Sequence, residues 1–178
     1  GTSAFTTVQA ALNAAVTDGI SKVIVNAGSY AETVSVPNGV TLEITGPDAA
    51  QAVEISELSS VAGSTINIEG ASTLTVNNAL AQTIAGTVSG SGSLVKAGAG
   101  TLTLTEGNSY TGGTTINDGI MQIGANGTSG DIEGNVSVAA AGTLVFARSD
   151  SYTFDGDISG DGSVRQTGDG AANANFAG

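Results

Sequence analysis

The first 19 residues carry apolar side chains at the spacing of one amphipathic helix. In the stretch "TVQAALNAAV", from Thr7 to Val16, apolar residues recur every three or four positions and so share one helical face. Thr6 followed three residues later by Gln9 predicts a capping box, and Asp18-Gly19 supplies a stop signal. We therefore expect a short helix whose buried face is formed by Val8, Ala11, Leu12, Ala15 and Val16.

After Gly19 the pattern changes to short runs that alternate in polarity or are wholly apolar, rich in β-branched residues. Gly, Asn, Asp and Pro separate the runs, as in Pro37-Asn38-Gly39. Almost everything beyond Gly19 is therefore predicted to be strand and turn. The runs are Lys22–Asn26, Glu32–Val36, Thr41–Ile44, Ser64–Ile68, Thr73–Val76, Thr101–Leu104, Met121–Ile123, Asn135–Val138 and Thr143–Phe146.

An internal repeat favours one all-β architecture. Residues 73–100 align without gaps on residues 143–170, and ten positions are identical, five of them glycine. An offset of this length holds several strands, so we expect it to span about three turns of a solenoid. Glycine corners and stacked aliphatic strands then predict an all-β fold, a right-handed parallel β-helix with a short N-terminal capping helix.

The amino-acid composition limits the kind of core, the partners and the chemistry that this chain can have. Of 178 residues, 27 are glycine and only 4% are aromatic, which suits layers of small aliphatic side chains better than one compact core. The net charge of −12 opposes binding to nucleic acid or to anionic lipid. The absence of cysteine and histidine excludes disulfides, thiolate metal sites and the commonest general base. No run is long and apolar enough for a transmembrane segment, so we expect no direct membrane insertion.

We expect one continuous domain, with the cap over residues 1–19 and the coils over residues 20–178. A solenoid must cover the open edge of its first coil, and the helix is placed to do so. The final residues, "QTGDGAANANFAG", are typical of a repeat that is cut short. They predict a fragment of a longer protein, with an exposed coil edge that promotes end-to-end association or leaves the last residues poorly ordered.

The stretch from Phe5 to Gly46 resembles the opening of the pectin-lyase-like superfamily. There a capping helix precedes a strand, a Gly-x-Tyr-x-Glu turn and the first coil, and Gly28, Tyr30 and Glu32 match that turn. This resemblance implies a right-handed parallel β-helix. It also raises the alternative of a polysaccharide-active enzyme, because lyases, esterases and hydrolases share the fold.

The stretch "GSGSLVKAGAGTLTLTEGNSYTGGTTINDGIMQIG", residues 90–124, resembles the autotransporter-associated β-strand repeat, also called the passenger-associated transport repeat. The resemblance implies a passenger that is exported through the periplasm and outer membrane by type V secretion and displayed on a bacterial surface or secreted. It also implies a C-terminal β-barrel translocator beyond this chain, and a role of the stacked coils in export.

Enzyme chemistry has little support in the residues. The cations are Lys22, Lys96, Arg148 and Arg165, and of these only Arg165 neighbours an acidic cluster. The Asn-Thr-Asp, Asp-Asp and Gly-His-Gly signatures of hydrolases with this fold are missing, as are the pectinesterase segments. We therefore predict no catalytic, cofactor-binding or metal-binding residues, and no enzyme.

The strongest candidate for a metal site is "DGDISGDGS", where Asp155, Asp157 and Asp161 alternate with glycine as in a calcium loop. However, Gln166 stands where an EF-hand has its bidentate glutamate, and no helices flank the loop. The repeat places uncharged residues opposite all three aspartates. We interpret them as solvated corner acids and leave calcium binding as the alternative.

Other candidates concern carbohydrate. Tyr30, Tyr110 and Tyr152 could stack on sugars, although we favour tyrosines at corners that cover a neighbouring coil. The Thr101–Thr105 hydroxyl ladder could bind carbohydrate or ice, but alternation with leucine is the ordinary pattern of a strand. Three glutamates are interpreted as a solvated face: Glu54, Glu57 and Glu69.

These patterns together predict a structural, surface-displayed stalk or adhesin-like platform without a cofactor. The alternative partners are a host-cell surface or glycan, or another copy of the chain through the β-helix face. Nucleic acid is not expected as a partner.

Overall fold

The computed structural model describes residues 5–46 and 50–168, which form a β-solenoid of about seven turns with one short N-terminal helix. All strand pairs are parallel. The elements are α1 Val8–Asp18, β1 Lys22–Val25, β2 Gly28–Val36, β3 Thr41–Ile44, β4 Ala52–Ser60, β5 Thr65–Ile68, β6 Thr73–Asn77, β7 Gln82–Ile84, β8 Thr87–Ser89, β9 Ser93–Ala97, β10 Thr101–Leu104, β11 Thr114–Gly127, β12 Val136–Arg148, β13 Ile158–Ser159 and β14 Ser163–Thr167.

The strands form three faces. Face 1 is the sheet β1-β3-β5-β8. Face 2 contains β6, β9 and β13 with the first halves of β2, β4, β11 and β12, and face 3 contains β7, β10 and β14 with their second halves. The long strands bend from face 2 to face 3, with irregular register in β2 and β11. We call residues 87–104 coil 4, residues 107–127 coil 5 and residues 131–148 coil 6.

The core consists of inward side chains stacked in columns. Strand burial alternates strictly in β3, β5, β6, β9 and β10, so each strand contributes every second residue. One column of face 2 joins five successive coils through paired residues: Ile55, Val76, Lys96, Ile116 and Val138. The predicted runs all coincide with strands, whereas β4, β7, β8, β9, β13 and β14 were not among them. The right-handed sense and the domain bounds at residues 1–19 and 20–178 stay predictions.

The capping helix is present, but two details of its prediction were wrong. The N-cap is Thr7, whose Oγ1 accepts the backbone N–H of Ala10 at 3.1 Å, and not Thr6. Val16 is 56% exposed, because the buried stripe follows the other side of the helix. The stop at Gly19 is confirmed, with φ of 68° in the left-handed region. The buried stripe consists of Val8, Leu12 and Ala15.

Gly28, Tyr30 and Glu32 lie in β2 and not in a separate turn, with Gly28 at the start of the strand and Glu32 at its bend. The Glu32 carboxylate accepts the backbone N–H groups of Val8 and Gln9 at 2.8 and 3.1 Å, and so satisfies the start of α1 from the first coil. The helix also bonds to the first coil in the other direction, because Gln9 Oε1 accepts the backbone N–H of Ser35 at 2.7 Å. Helix and first coil are therefore locked together by hydrogen bonds.

The internal repeat is not in phase with the coils. Residue Leu74 pairs with Leu94, Leu94 with Thr114 and Thr114 with Val136, so Val136 lies three turns beyond Leu74 on face 2. The repeat partner Leu144 lies on face 3 instead. The offset is therefore three turns plus one face, and the expectation of about three turns was short by one strand.

The predicted cut-short repeat from Gln166 to Gly178 falls largely outside the described residues. Only its first three residues, Gln166 to Gly168, are within them, and the rest is residues 169–178.

Candidate functional site

Residues 94–123 form β9, β10 and most of β11, and they occupy the middle of the stack. The aliphatic core continues through them with Leu94, Leu102 and Leu104, each fully buried. The interior of the same segment also contains polar side chains that the sequence patterns did not place there: Lys96, Asn108, Tyr110 and Thr114. The described coils on its N-terminal side also contain buried polar side chains, Ser60, Ser64, Ser72 and Asn78, but no buried charged one.

Lys96 is fully buried between Val76 and Ile116 in its column. Its Nζ donates to the carbonyl oxygens of Ala97 at 2.7 Å, Gly98 at 2.6 Å and Asp118 at 3.2 Å. These contacts bind the corner of coil 4 to the corner of coil 5. Burial lowers the pKa of Lys96 from 10.5 to about 8, and the negative charges of Asp118 and Glu57 oppose that shift.

Asn108 connects three coils. Its Oδ1 accepts the N–H of Val88 on coil 4 at 2.8 Å, and its Nδ2 donates to the carbonyls of Glu106 at 2.7 Å and Asp131 at 2.9 Å. Because Asn108 is 4% exposed, these bonds replace water at groups that the strand ladder leaves unpaired. Strand β8 is the last described strand of face 1, so no further strand pairs with it there. The side chain of Asn108 takes the place of that strand as the acceptor for the Val88 N–H.

Tyr110 lies in the core, so the prediction of a corner tyrosine was wrong for this residue. It is fully buried, and its hydroxyl forms a hydrogen bond with Thr114 Oγ1 at 2.6 Å. Burial raises the pKa of the Tyr110 hydroxyl well above its usual value, more than the bond to Thr114 lowers it. A residue with no exposed surface cannot stack on a sugar.

Arg148 is a second buried cation. Its Nη1 and Nη2 donate to the carbonyls of Gly130 and Thr128, each at 2.6 Å, and its Nε and Nη2 donate to the Asp150 carboxylate, each at 2.9 Å. The hydrogen bond from Arg148 holds the pKa of Asp150 below its usual value. The guanidinium carbon lies 4.7 Å from the centre of the Tyr152 ring. Arg148 therefore fixes the loop between β11 and β12.

The other two tyrosines pack against the solenoid. Tyr152 lies against Phe146 with ring centres 5.7 Å apart, which confirms its predicted role as a cover. Tyr30 is half-buried and donates to the carbonyl of Asn26 at 2.9 Å. A depression of about 350 Å³ beside Tyr152 is lined by Asp131, Glu133 and Asp155 among other residues.

The three aspartates of the proposed calcium loop do not converge. Asp155 and Asp157 precede β13, whereas Asp161 lies at the next corner, and all three are exposed. Within residues 5–46 and 50–168, no group of three or more acidic side chains is arranged to hold a metal ion. Calcium binding here stays an untested alternative to the predicted solvated corner acids.

Glu57 is not on a solvated face, which corrects the sequence interpretation. It is half-buried, and its carboxylate accepts the N–H groups of Ala79 and Leu80 and the side-chain amide of Gln82, at 2.9, 3.3 and 2.8 Å. Glu69 is exposed as predicted, and Glu54 is half-buried and accepts from Asn77. Of the remaining cations, Lys22 pairs with Glu43 and Arg165 is exposed.

In the part of the chain that the structure describes, no helix is long and apolar enough to cross a membrane.

Comparison with known proteins bears on the same segment. Residues 94–123 match the family model of the passenger-associated transport repeat. Over 88 residues the chain is 41% identical to the adhesin BmaC autotransporter of Brucella suis biovar 1 (strain 1330). That stretch is 49% of this chain and 2% of the relative, so the chain spans a small part of the relative's length. No solved structure matches the chain significantly. The chain therefore carries a passenger-associated transport repeat within a parallel β-solenoid and is similar, over about half its length, to an autotransporter adhesin, which indicates a surface-displayed or secreted protein.

Proposed function

We propose that the chain is a structural segment of an autotransporter passenger, a rigid stalk or platform at a bacterial surface whose stacked coils assist export. The observation that carries this proposal is the position of the transport repeat, residues 94–123, inside the continuous parallel sheet of faces 2 and 3. Each added coil covers the apolar edge of the preceding coil, so folding can advance one coil at a time. Folding outside the membrane would then draw the chain outward.

The proposal implies a C-terminal β-barrel translocator as a partner in the full-length protein. It implies no catalysis by this segment, and the positions of the cations support that expectation. Lys96 and Arg148 are buried and bonded to backbone carbonyls, so neither is presented to a substrate. The other two cations reach solvent, Lys22 in a pair with Glu43 and Arg165 on the surface. Fold similarity alone gives no activity.

A matched pair of substitutions in the full-length protein tests the role in export. Leu102 is fully buried on β10, and its neighbour Thr103 points outward on the same strand. Leu102→Asp places a charge in the stack and should abolish most of the surface display, measured with an antibody on intact cells. Thr103→Asp should display normally. Normal display of Leu102→Asp would refute the role of stacking in export.

We propose adhesion as a second function, supported by the name of the relative and by hydroxyl rows on face 2. Among the outward side chains there, Thr115, Ser137 and Ser159 lie side by side on paired strands, and Val95 separates Thr115 from Thr75. Such a flat hydroxyl surface suits a host glycan or a second copy of the chain. Glycan-array binding and cell-aggregation assays of the displayed passenger distinguish the two, and no binding in either would remove this function.

A further inference from the structure

Lys96 occupies a position where the other coils have an aliphatic residue. Its column continues with Ile55 and Val76 on one side and Ile116 and Val138 on the other. Lys96 and Arg148 are the buried charged side chains of the part of the chain described by the structure. An aliphatic residue would fill the column without the desolvation of an ammonium group, so packing alone does not explain the lysine.

Asn108 fixes coil 5 against Val88 of coil 4 on the side of face 1, but on face 2 aliphatic stacking alone does not specify the register of β9 on β11. In the observed register, Leu94 pairs with Thr114 and Lys96 with Ile116. A shift of one residue would turn the inward side chains outward, but a shift of two residues preserves which side chains face inward. In one such slipped register Leu94 would pack on Ile116, aliphatic on aliphatic. Hydrophobic pattern therefore does not exclude it.

The lysine does discriminate among these registers. Its Nζ reaches the carbonyl of Asp118 on coil 5 at 3.2 Å, in addition to the two carbonyls on its own coil. A slip of two residues moves the coils by about 6.6 Å along the strand, which is beyond hydrogen-bond range. The same slip changes the distances from the Lys96 ammonium to the carboxylates of Asp118 and Glu57, the two negative charges that act on it. A buried cation would then lose one of its three acceptors.

We propose that Lys96 is a register pin, a buried cation that selects the alignment of coil 4 on coil 5 and does so without adding stability. Single buried polar residues fix register in coiled coils in the same way, at a cost in stability. The corners at Gly98 and Gly119 approach closely, because a Cβ at Gly119 would crowd the carbonyls of Gly98 and Gly100. These glycines carry no charge and so do not replace the contact made by Lys96. The pin does not depend on the proposed role in export.

Disulfide trapping in the full chain tests the pin, and the absence of natural cysteines removes any background. Paired residues in neighbouring strands lie about 4.8 Å apart, within disulfide reach, whereas slipped pairs lie roughly 8 Å apart. Val95→Cys with Thr115→Cys reports the observed register. The slipped registers are reported by Val95→Cys with Asn117→Cys and by Ala97→Cys with Thr115→Cys. Each pair is refolded from denaturant under a glutathione redox buffer.

In the Lys96 background we expect the observed pair to be trapped at least about tenfold more than either slipped pair, the ratio expected from one charge-assisted hydrogen bond. Lys96→Met should remove most of that preference. Lys96→Arg, which keeps the charge, should retain most of it, and Val76→Met in the same column serves as the apolar control and should leave it unchanged. An undiminished preference in Lys96→Met overturns the proposal.

Thermal unfolding of Lys96→Met is the second measurement. A pin that selects register without adding stability predicts a midpoint no more than about 4 °C below that of the parent chain. A larger loss, or failure to fold, would show that Lys96 is needed for stability, and would also overturn the proposal.

Discussion

The carboxylate of Glu32 accepts the backbone N–H of Val8 at 2.8 Å, which joins the first turn of α1 to a strand 24 positions along the chain. The second carboxylate oxygen accepts the N–H of Gln9. Helix N-termini leave such groups unpaired, and in this chain the coil that the helix covers satisfies two of them, while the N-cap Thr7 accepts a third. Helix formation and closure of the first coil are thereby linked.

Glu32→Ala should therefore expose the first coil as well as weaken the helix. We expect the free energy of unfolding of the N-terminal coil to fall by about 1–2 kcal/mol, since two N–H groups lose a charged acceptor. Hydrogen exchange at Val8 and Gln9, followed with chemical denaturation, measures this. Glu69→Ala is the control, because Glu69 is exposed and should change stability by less than about 0.5 kcal/mol. Equal effects of both variants would contradict the linkage.

Asn108→Ala should destabilise the junction of coils 4, 5 and 6. It removes the acceptor of the Val88 N–H and the donor to the Glu106 and Asp131 carbonyls, all at a position with 4% exposure. We expect a loss of about 2–3 kcal/mol in the free energy of unfolding, the cost of buried groups without partners. Denaturant titration measures it. The neighbouring exposed Ser109 provides the control, and Ser109→Ala should be nearly neutral.

Sequence patterns predicted the parts of this fold that depend on local periodicity. The alternation of Leu102 and Leu104 with threonines placed β10 correctly, and the helix followed from a 3.6-residue period. The phase of the internal repeat could not be predicted, because every face uses the same combination of glycine corner and short strand. A 70-residue match therefore does not reveal that residues 73–77 are on face 2 and residues 143–147 on face 3.

The interior of the transport repeat was missed for a different reason. The two-residue period places Lys96 on the same side of β9 as Leu94, so a signal for its burial was present. Charge suggested solvent exposure, and only the carbonyls of Ala97, Gly98 and Asp118 make burial tolerable. Those carbonyls come from corners on two coils, a relationship that depends on the register between coils and not on neighbours in sequence.

Gly90→Ala should be far more costly than a glycine substitution at an open turn. Gly90 has a φ of 103°, and a Cβ there would collide with the backbone carbonyl of Ile68 on the coil below. We expect a loss of at least about 3 kcal/mol, from backbone strain combined with overpacking. Gly39 has a φ of 75° and open space around it, so Gly39→Ala should cost about 1 kcal/mol. Thermal and denaturant unfolding measure both, and similar losses would contradict the close approach of the coils.

Stability should rise with pH between about 8 and 10, opposite to the usual effect of a paired lysine. Burial lowers the pKa of Lys96 to about 8 in the folded chain, below its value of 10.5 when solvated. In this window the unfolded chain binds more protons than the folded chain, so raising the pH favours folding, by about 1–3 kcal/mol in total. Above pH 10 the trend should reverse, because the buried Tyr110 hydroxyl has a raised pKa and ionises more readily when unfolded. Denaturant titrations across this range measure the free energy of unfolding at each pH. Lys96→Met should abolish its rise between pH 8 and 10 and keep its fall above pH 10. A rise that persists in Lys96→Met would assign the rise to another group.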